Sequence, residues 1–446
     1  MLHFSSYLRR TATELKQSAA LVPAMPLRDR PLVICDLTQS YAPYGGGGIS
    51  SYLREKRRHI LERTPHTLVQ IVPGAEDRVV ERDRHVWVEV AAPPVRGSPH
   101  YRFILRTAGV RAALERYRPD VIESQCPWVL PWTAINYRRA NPHTALVAGY
   151  HTDFPNVHVH RVGADLFGET VAGYMRKISI DYAGITYREF DRVYALDERT
   201  RAALAGYGVP HVDVIDLGVD AELFSPARRN PDYRRRLGLA GNGPLLIYAG
   251  RIDNEKRADR LVAMFKALPA ELGAGLVMLG EGKLREPLLA ACEGLPVRLP
   301  GFVDDRAALA EALASSHIYV SAMADETFGI SVIEAQACGL PVVGVASGAM
   351  PARVPAGLGL LGLVDDVQAM ARNVLEIWNG DPAAMGAAAR RHVAGRYGWD
   401  RVFTRLLDEV YAAALDAAAE RNATRRRWLS GPRERRYAAG KRRMAS

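Results

Sequence analysis

The chain has 446 residues, 48% hydrophobic and 24% charged, with a formal net charge of +10. That is ordinary globular composition, too long for one typical core and without any apolar run near the roughly 20 residues of a membrane-spanning helix, so two domains are expected. Ten Arg or Lys and one Glu fall in residues 421–446, and the nearly neutral remainder excludes a global electrostatic case for nucleic-acid binding.

Residues 1–30 read as a weakly amphipathic or flexible lead-in, with Arg9, Arg10 and Lys16 but no long apolar stretch or clear cleavage site, hence no expected secretory signal. A buried strand is expected over 31–37, then a loop with Gly45-Gly46-Gly47-Gly48, then a helix from about Ile49 to Glu62. Further strands are expected at 66–72, 85–90, 120–123, 144–150, 192–196 and 212–216, with helical patterns between several of them. Such alternation predicts an α/β fold: a mainly parallel sheet with helices on both faces.

The regularity lapses between Gly218 and Pro244, which places a domain boundary there. It restarts with strands expected at 244–250, 275–279, 297–303, 317–322, 341–345 and 360–364. Helices are expected at 258–268, 283–293, 305–314, 331–338, 367–378, 382–396 and, last, about 400–420. The expected division is a lead-in (1–30), a first Rossmann-like domain (31–217), a second (218–398), a long helix (399–420) and a basic tail (421–446). Two doubly wound units in series leave a cleft, and ligands in such sheets bind at the carboxyl ends of strands.

Four groups of residues could do chemistry. The glycine loop allows backbone close to a ligand and exposed N–H groups at a helix start, although a ligand-free loop fits equally. Tyr150-His151-Thr152-Asp153-Phe154-Pro155 follows a strand; His151 could bond a sugar hydroxyl or simply be tied to backbone. His158 and His160 nearby have no recognised ligand spacing, so no metal is expected. In Gly250-Arg251-Ile252-Asp253-Asn254-Glu255-Lys256, Arg251 and Lys256 could clasp a pyrophosphate, or Asp253 and Glu255 could neutralise both. Glu326 and Glu334 stand eight positions apart around a helix start, where carboxylates could grip hydroxyls beside an anion on free N–H groups. A capping box from Ser331 to Glu334 would explain Glu334 alone.

In their order, these residues resemble the retaining, nucleotide-sugar-dependent glycosyltransferases of the GT-B fold, family 4. The likeness covers about residues 31–420 and is strongest over 245–345. It rests on Gly-Arg-x4-Lys, Leu-Gly-Glu-Gly at 279–282, Pro-Gly-Phe-Val at 300–303, and Glu-x7-Glu enclosing Phe-Gly. The resemblance implies that Arg251 and Lys256 hold the donor diphosphate, Glu334 bonds the ribose and Glu326 faces the donor sugar. It further implies backbone contacts at Phe328, Gly329 and Ile330, closure by Gly46 and Gly47, and Phe302 and Val303 near the base. His151 would meet the donor sugar, in a setting similar to members that glycosylate lipids. The last helix would cross back onto the first domain.

Three departures from the family's pattern bear on donor identity: Leu217 in place of a polar residue, Arg257 after the lysine in place of glycine, and the loop 347–353 without the common Gly-Gly and acidic residue. The implied activity is metal-independent hexosyl transfer from a UDP- or GDP-linked sugar to a lipid or saccharide acceptor, with no cofactor besides that co-substrate and no nucleic-acid partner. A sugar-nucleotide epimerase or a non-catalytic sugar-nucleotide binder are the alternatives. Four scattered cysteines without a Cys-x-x-Cys pair suit reduced thiols in the cytoplasm. The basic tail, with Trp428 and Leu429, is either a solvated end or a contact to an anionic membrane surface.

Overall fold

The computed structural model describes residues 30–430 except Ser40, 42–47 and 96–97. The expectations for residues 1–29, for Gly46 and Gly47, and for 431–446 lie outside the described residues. The first half forms β1 (Val33–Leu37), β2 (Thr67–Gly74), β3 (Arg78–Arg82), β4 (His85–Ala91), a small hairpin of β5 (Pro94–Val95) and β6 (Ser98–Arg102), β7 (Val121–Ser124), β8 (Ala145–Tyr150), β9 (Arg192–Ala195) and β10 (Val212–Val214). Eight of these make one sheet in the order β10-β9-β8-β7-β1-β2-β4-β3. Every pairing in it is parallel except β3 on β4.

The second half contributes β11 (Leu245–Ala249), β12 (Gly275–Leu279), β13 (Val297–Gly301), β14 (Ile318–Val320), β15 (Val342–Val345) and β16 (Gly359–Gly362). They form an all-parallel sheet in the order β13-β12-β11-β14-β15-β16. Each sheet has a switch point where the winding reverses, between β1 and β7 in one and between β11 and β14 in the other. A crevice opens at the carboxyl ends of strands there.

The strands are buried on both faces because they are apolar runs: Leu245–Ala249 and Gly275–Leu279 are buried throughout. One hydrophobic cluster spans both halves, from Ile34 and Tyr52 through Ile247 and Phe328 to Trp399, Phe403 and Leu415. Its bridge is the C-terminal helix, which starts at Trp399, passes through a π-helical turn at Leu406–Tyr411 and continues to Ser430. It lies back on the first half: His59 Nδ1 is 2.8 Å from Asp400, and Arg421 pairs with Asp191. The helix runs ten residues past the expected end at 420, and Arg421 and Asn422 both bond the Pro142–Thr144 segment.

Candidate active site

The two central strands of the second sheet deliver the catalytic candidates. β11 and β14 are neighbours, so the loops after them meet. Lys256 Nζ lies 3.2 Å from Glu326 Oε2, and Glu326 is buried. Arg251, on the same loop as Lys256, is more than half exposed and pairs with Asp253 and, at 2.8 Å, with Glu255. Asp253 also accepts the Lys256 backbone N–H at 2.9 Å. Local neutralisation thus holds for Arg251, while the Lys256 side chain turns to Glu326. Glu255 receives a second cation from the first half, Arg161 at 3.3 Å.

The loop carrying Leu-Gly-Glu-Gly packs against this one. A Cβ at Gly280, where φ is +146°, would lie 1.9 Å from the Gly250 carbonyl oxygen. Only glycine permits so close an approach.

After β14 the chain turns into the helix Ile330–Ala337. Its N-cap is Gly329 at φ +86°, not Ser331. This corrects the capping-box reading. Ser331 accepts a hydrogen bond from Tyr319 at 2.9 Å, and Glu334 lies beyond the first turn. Glu334 is instead held by Arg306, which leaves its Oε2 without a partner among the described residues. Burial raises the Glu334 pKa, against the opposing charge of Arg306.

Phe328 is buried, and its carbonyl accepts from Arg353 Nε at 2.8 Å. In a planar trans peptide the next amide points the opposite way. The Gly329 N–H is therefore turned away from Arg353. The N–H groups of Gly329, Ile330 and Ser331 have no acceptor among the described residues. They form the positive end of a helix macrodipole, equivalent to roughly half an elementary charge. Phe302, half-exposed, and Val303 follow the carboxyl end of β13.

Across from this helix stands the glycine loop's last residue. A Cβ on Gly48, the first residue of the helix Gly48–Arg63, would come 2.9 Å from Ile330 Cδ1, so the first half's helix start packs against the second half's. Leu217 is also within reach, at 3.9 Å from that Cβ.

On the first half, His151 follows β8, and its Nε2 is 3.2 Å from the Tyr194 hydroxyl. Burial holds the imidazole at about pKa 4, despite the nearby Glu123 carboxylate. Behind it lies a cluster that sequence reading missed. β1 places Asp36 between Gln70 of β2 and Glu123 of β7 in one row across the sheet. Lys56, fully buried, reaches Asp36, Glu123 at 2.9 Å and the Tyr411 hydroxyl at 2.6 Å. Tyr52, Tyr194 and Tyr411 all donate to Glu123.

Burial pushes Asp36 up to about 6, with Lys56 opposing and Glu123 adding to the rise. Burial would also raise Glu123, but Lys56 and the hydrogen bonds of Tyr411, Lys56 and Tyr194 outweigh it and hold Glu123 at about 2. The sequence signal was present: Asp36 and Glu123 interrupt apolar strand runs. Arg306 and Arg353 were likewise not expected as partners of the site. Among the described residues, no group of three or more His, Cys, Asp or Glu could hold a metal ion.

Two family descriptions match, "Glycosyltransferase Family 4" over 46–223 and "Glycosyl transferases group 1" over 243–380. A GDP-mannose-dependent alpha-mannosyltransferase of Mycobacterium tuberculosis (strain CDC 1551 / Oshkosh) is 30% identical over 84% of this chain and 95% of its own. A GDP-mannose-dependent alpha-(1-6)-phosphatidylinositol dimannoside mannosyltransferase of Mycobacterium tuberculosis (strain ATCC 25177 / H37Ra) is 32% identical over 62% of this chain and 70% of its own. In fold, the chain is similar to sucrose-phosphate synthase from Thermosynechococcus elongatus, with TM-score 0.70 and 20% identity over 86% of this chain and all of that one. It is also similar to Anabaena HepE in complex with UDP-glucose, with TM-score 0.65 and 18% identity over 85% of this chain and all of that one. The chain belongs to the group 1, family 4 glycosyltransferases and has the GT-B fold, two α/β domains with the C-terminal helix returning to the first.

Proposed function

We propose that this enzyme transfers mannose from GDP-mannose to a lipid-linked acceptor with retention at the anomeric carbon and without a metal. The observation that carries the donor site is the meeting of Lys256, Glu326 and an uncapped helix N-terminus at one switch point. As the diphosphate leaves, its charge grows. Lys256, the free N–H groups and Arg251, once released from Asp253 and Glu255, are the groups to stabilise it. Glu334 takes ribose hydroxyls on its open oxygen, Glu326 orients the sugar, and Phe302 and Val303 flank the base. Gly46 and Gly47 close the diphosphate from the first half and exclude water.

Two observations support a lipid acceptor. Relatives whose names carry phosphatidylinositol mannosides match this chain. Seven of the twelve large hydrophobic side chains exposed among the described residues fall between Val162 and Ile185. Five of them, Val162, Leu166, Phe167, Val171 and Tyr174, lie within six residues of the turn at Gly168 between helices Arg161–Phe167 and Glu169–Tyr187, with Leu166, Phe167 and Tyr174 more than 60% exposed. Arg161 ties the base of that hairpin to the Arg251 loop, so the apolar turn belongs to the same side of the molecule as the donor site. Among the described residues no helix is long and apolar enough to cross a membrane. In this reading the enzyme works from the cytoplasm as a peripheral protein. The hairpin and the basic residues beyond Arg421, which is itself paired with Asp191, then share contact with an anionic surface.

Transfer of radiolabelled mannose from GDP-mannose to extracted lipid, with excess EDTA, tests the reading. We expect product with the α anomer. Lys256→Ala and Glu326→Ala are expected to lower kcat by roughly 100-fold or more with the fold intact. Near-normal turnover in either variant removes the site assignment. A larger thermal shift with UDP-glucose than with GDP-mannose reassigns the donor. Unchanged sedimentation with anionic vesicles after Phe167→Glu or deletion of 431–446 removes the respective contact.

A further inference from the structure

Glu123 sits at the centre of the buried cluster and, as a carboxylate, only accepts hydrogen bonds. The Tyr52 and Tyr194 hydroxyls lie 2.8 and 2.7 Å from its Oε1. Gln125 Nε2 donates to the same oxygen at 2.9 Å; each phenol has one proton, and the acceptors for that of Tyr194 are this oxygen and, at 3.1 Å, the Tyr52 oxygen. Turning the Tyr194 proton towards His151 instead would leave two bare oxygens 2.7 Å apart, one of them charged. Such an arrangement repels rather than binds. The Tyr194 oxygen therefore offers His151 only lone pairs, and the imidazole Nε2, 3.2 Å away, must supply the hydrogen.

A neutral ring protonated at Nε2 carries a lone pair at Nδ1. That Nδ1 is closed off from solvent and has no partner among the described residues. A buried acceptor without a donor is costly in a folded protein and marks the place of an absent group. The rings of Tyr52 and Tyr194 stand edge-on to the imidazole, 5.4 and 5.6 Å between centroids, and limit its rotation. Lys56 and Tyr411 fix Glu123 from its other oxygen.

We propose that Tyr194 is a positioning residue: held by Glu123, it locks His151 as the Nε2–H tautomer, so that Nδ1 accepts a hydrogen bond from a hydroxyl of the donor sugar. The sugar contact rests on the functional reading given above; the tautomer does not. Through Glu123 the device also takes in Tyr411, so the C-terminal helix shares in holding the imidazole. A catalytic base at this position would have to become an imidazolium on taking a proton at Nδ1, and the burial of the ring disfavours that charge. We therefore assign His151 orientation of the sugar rather than proton transfer.

The full chain, labelled with 15N-histidine in a deuterated background, tests the tautomer by two-bond nitrogen–proton correlation. The His151 signals are assigned by their loss in His151→Gln. We expect the Nε2–H pattern in the wild type, and a mixed or reversed pattern in Tyr194→Phe, which keeps the ring packing. The same variant should lower kcat roughly tenfold with the donor KM changed less than about twofold, the scale of one misplaced hydrogen bond. An Nδ1–H pattern in the wild type, or no change in Tyr194→Phe, overturns the proposal. An Nε2–H pattern together with wild-type turnover in His151→Gln overturns the sugar contact and leaves the tautomer standing.

Discussion

Arg353 lays its guanidinium 3.8 Å from the centroid of the Phe328 ring and donates through Nε to the Phe328 carbonyl at 2.8 Å. The same fork reaches the Tyr397 hydroxyl at 2.9 Å and, from the first half, the Leu196 carbonyl at 3.2 Å; Asp216 supplies its counter-charge at 3.5 Å. One fully buried side chain thus sets the peptide that opens the helix Ile330–Ala337, the proposed donor-site helix, and joins it to the other sheet.

Arg353→Met should destabilise the protein by about 1 to 3 kcal/mol, because the Phe328 and Leu196 carbonyls lose their donor in the interior, while Asp216 keeps Arg396 at 3.3 Å. Arg353→Lys should recover little, since a single ammonium cannot serve partners spread over a planar fork. Urea denaturation checks both. Equal midpoints for Arg353→Met and wild type would contradict the assignment.

Gly329→Ala forces a left-handed backbone on a residue with a side chain. The strain is about 1 to 2 kcal/mol. The added carbon would also touch Val332 at 3.3 Å and Glu326 at 3.4 Å. Stability should fall by that amount, and donor affinity should fall with it, because the N–H groups at the helix start turn with the backbone. Calorimetric titration with the donor alongside thermal melts measures the two effects.

Tyr411→Phe takes one donor from Glu123 and one acceptor from Lys56, both buried. The expected loss is about 1 to 3 kcal/mol. Because the hydroxyl reaches His151 only through Glu123 and Tyr194, donor affinity should change less than stability. A variant as stable as wild type would mean that water replaces the hydroxyl without cost.

The first strand of each sheet begins under a histidine. Leu32 N–H donates to His66 Nδ1 at 3.2 Å, and Leu245 N–H donates to His317 Nδ1 at 3.0 Å. Both nitrogens must be unprotonated to accept. Burial lowers both pKa values, with Arg84 adding at His66 and Arg229 at His317, which is held at about 4. The unfolded value is near 6.5, so the unfolded chain binds more protons between the two. The stabilising contribution is complete above about pH 6.5 and is lost as pH falls through that window. His317→Gln should therefore be penalised more at pH 7.5 than at pH 5; the same midpoint shift at both would refute this.

The strands of both sheets were legible because a parallel sheet covered by helices demands unbroken apolar runs, and those ended within a few residues of where they were expected. β3 escaped because Arg78–Arg82 is an exposed edge with its charges outward. Ser331 misled because Ser-x-x-Glu satisfies a local capping rule, whereas the cap was decided by Gly329, two residues earlier. Lys256 and Glu326 were recognisable as separate motifs, and sheet order brought them together. The Asp36–Lys56–Glu123 cluster was not, since its members come from two strands, a helix and, far along the chain, Tyr411. Arg353 stood out only as a departure from a motif, with nothing local to show what it holds.

The cluster has a bearing on biogenesis. Glu123 and Tyr411 are separated by 288 positions. A ribosome that has released the whole first sheet has yet to make the hydroxyl that completes it. Until then Lys56, Asp36 and Glu123 are held together with one hydrogen-bonding partner absent, so the first half gains its full stability only when the returning helix docks. Chains cut short before the returning helix accordingly leave the Lys56–Glu123 cluster behind His151 incomplete.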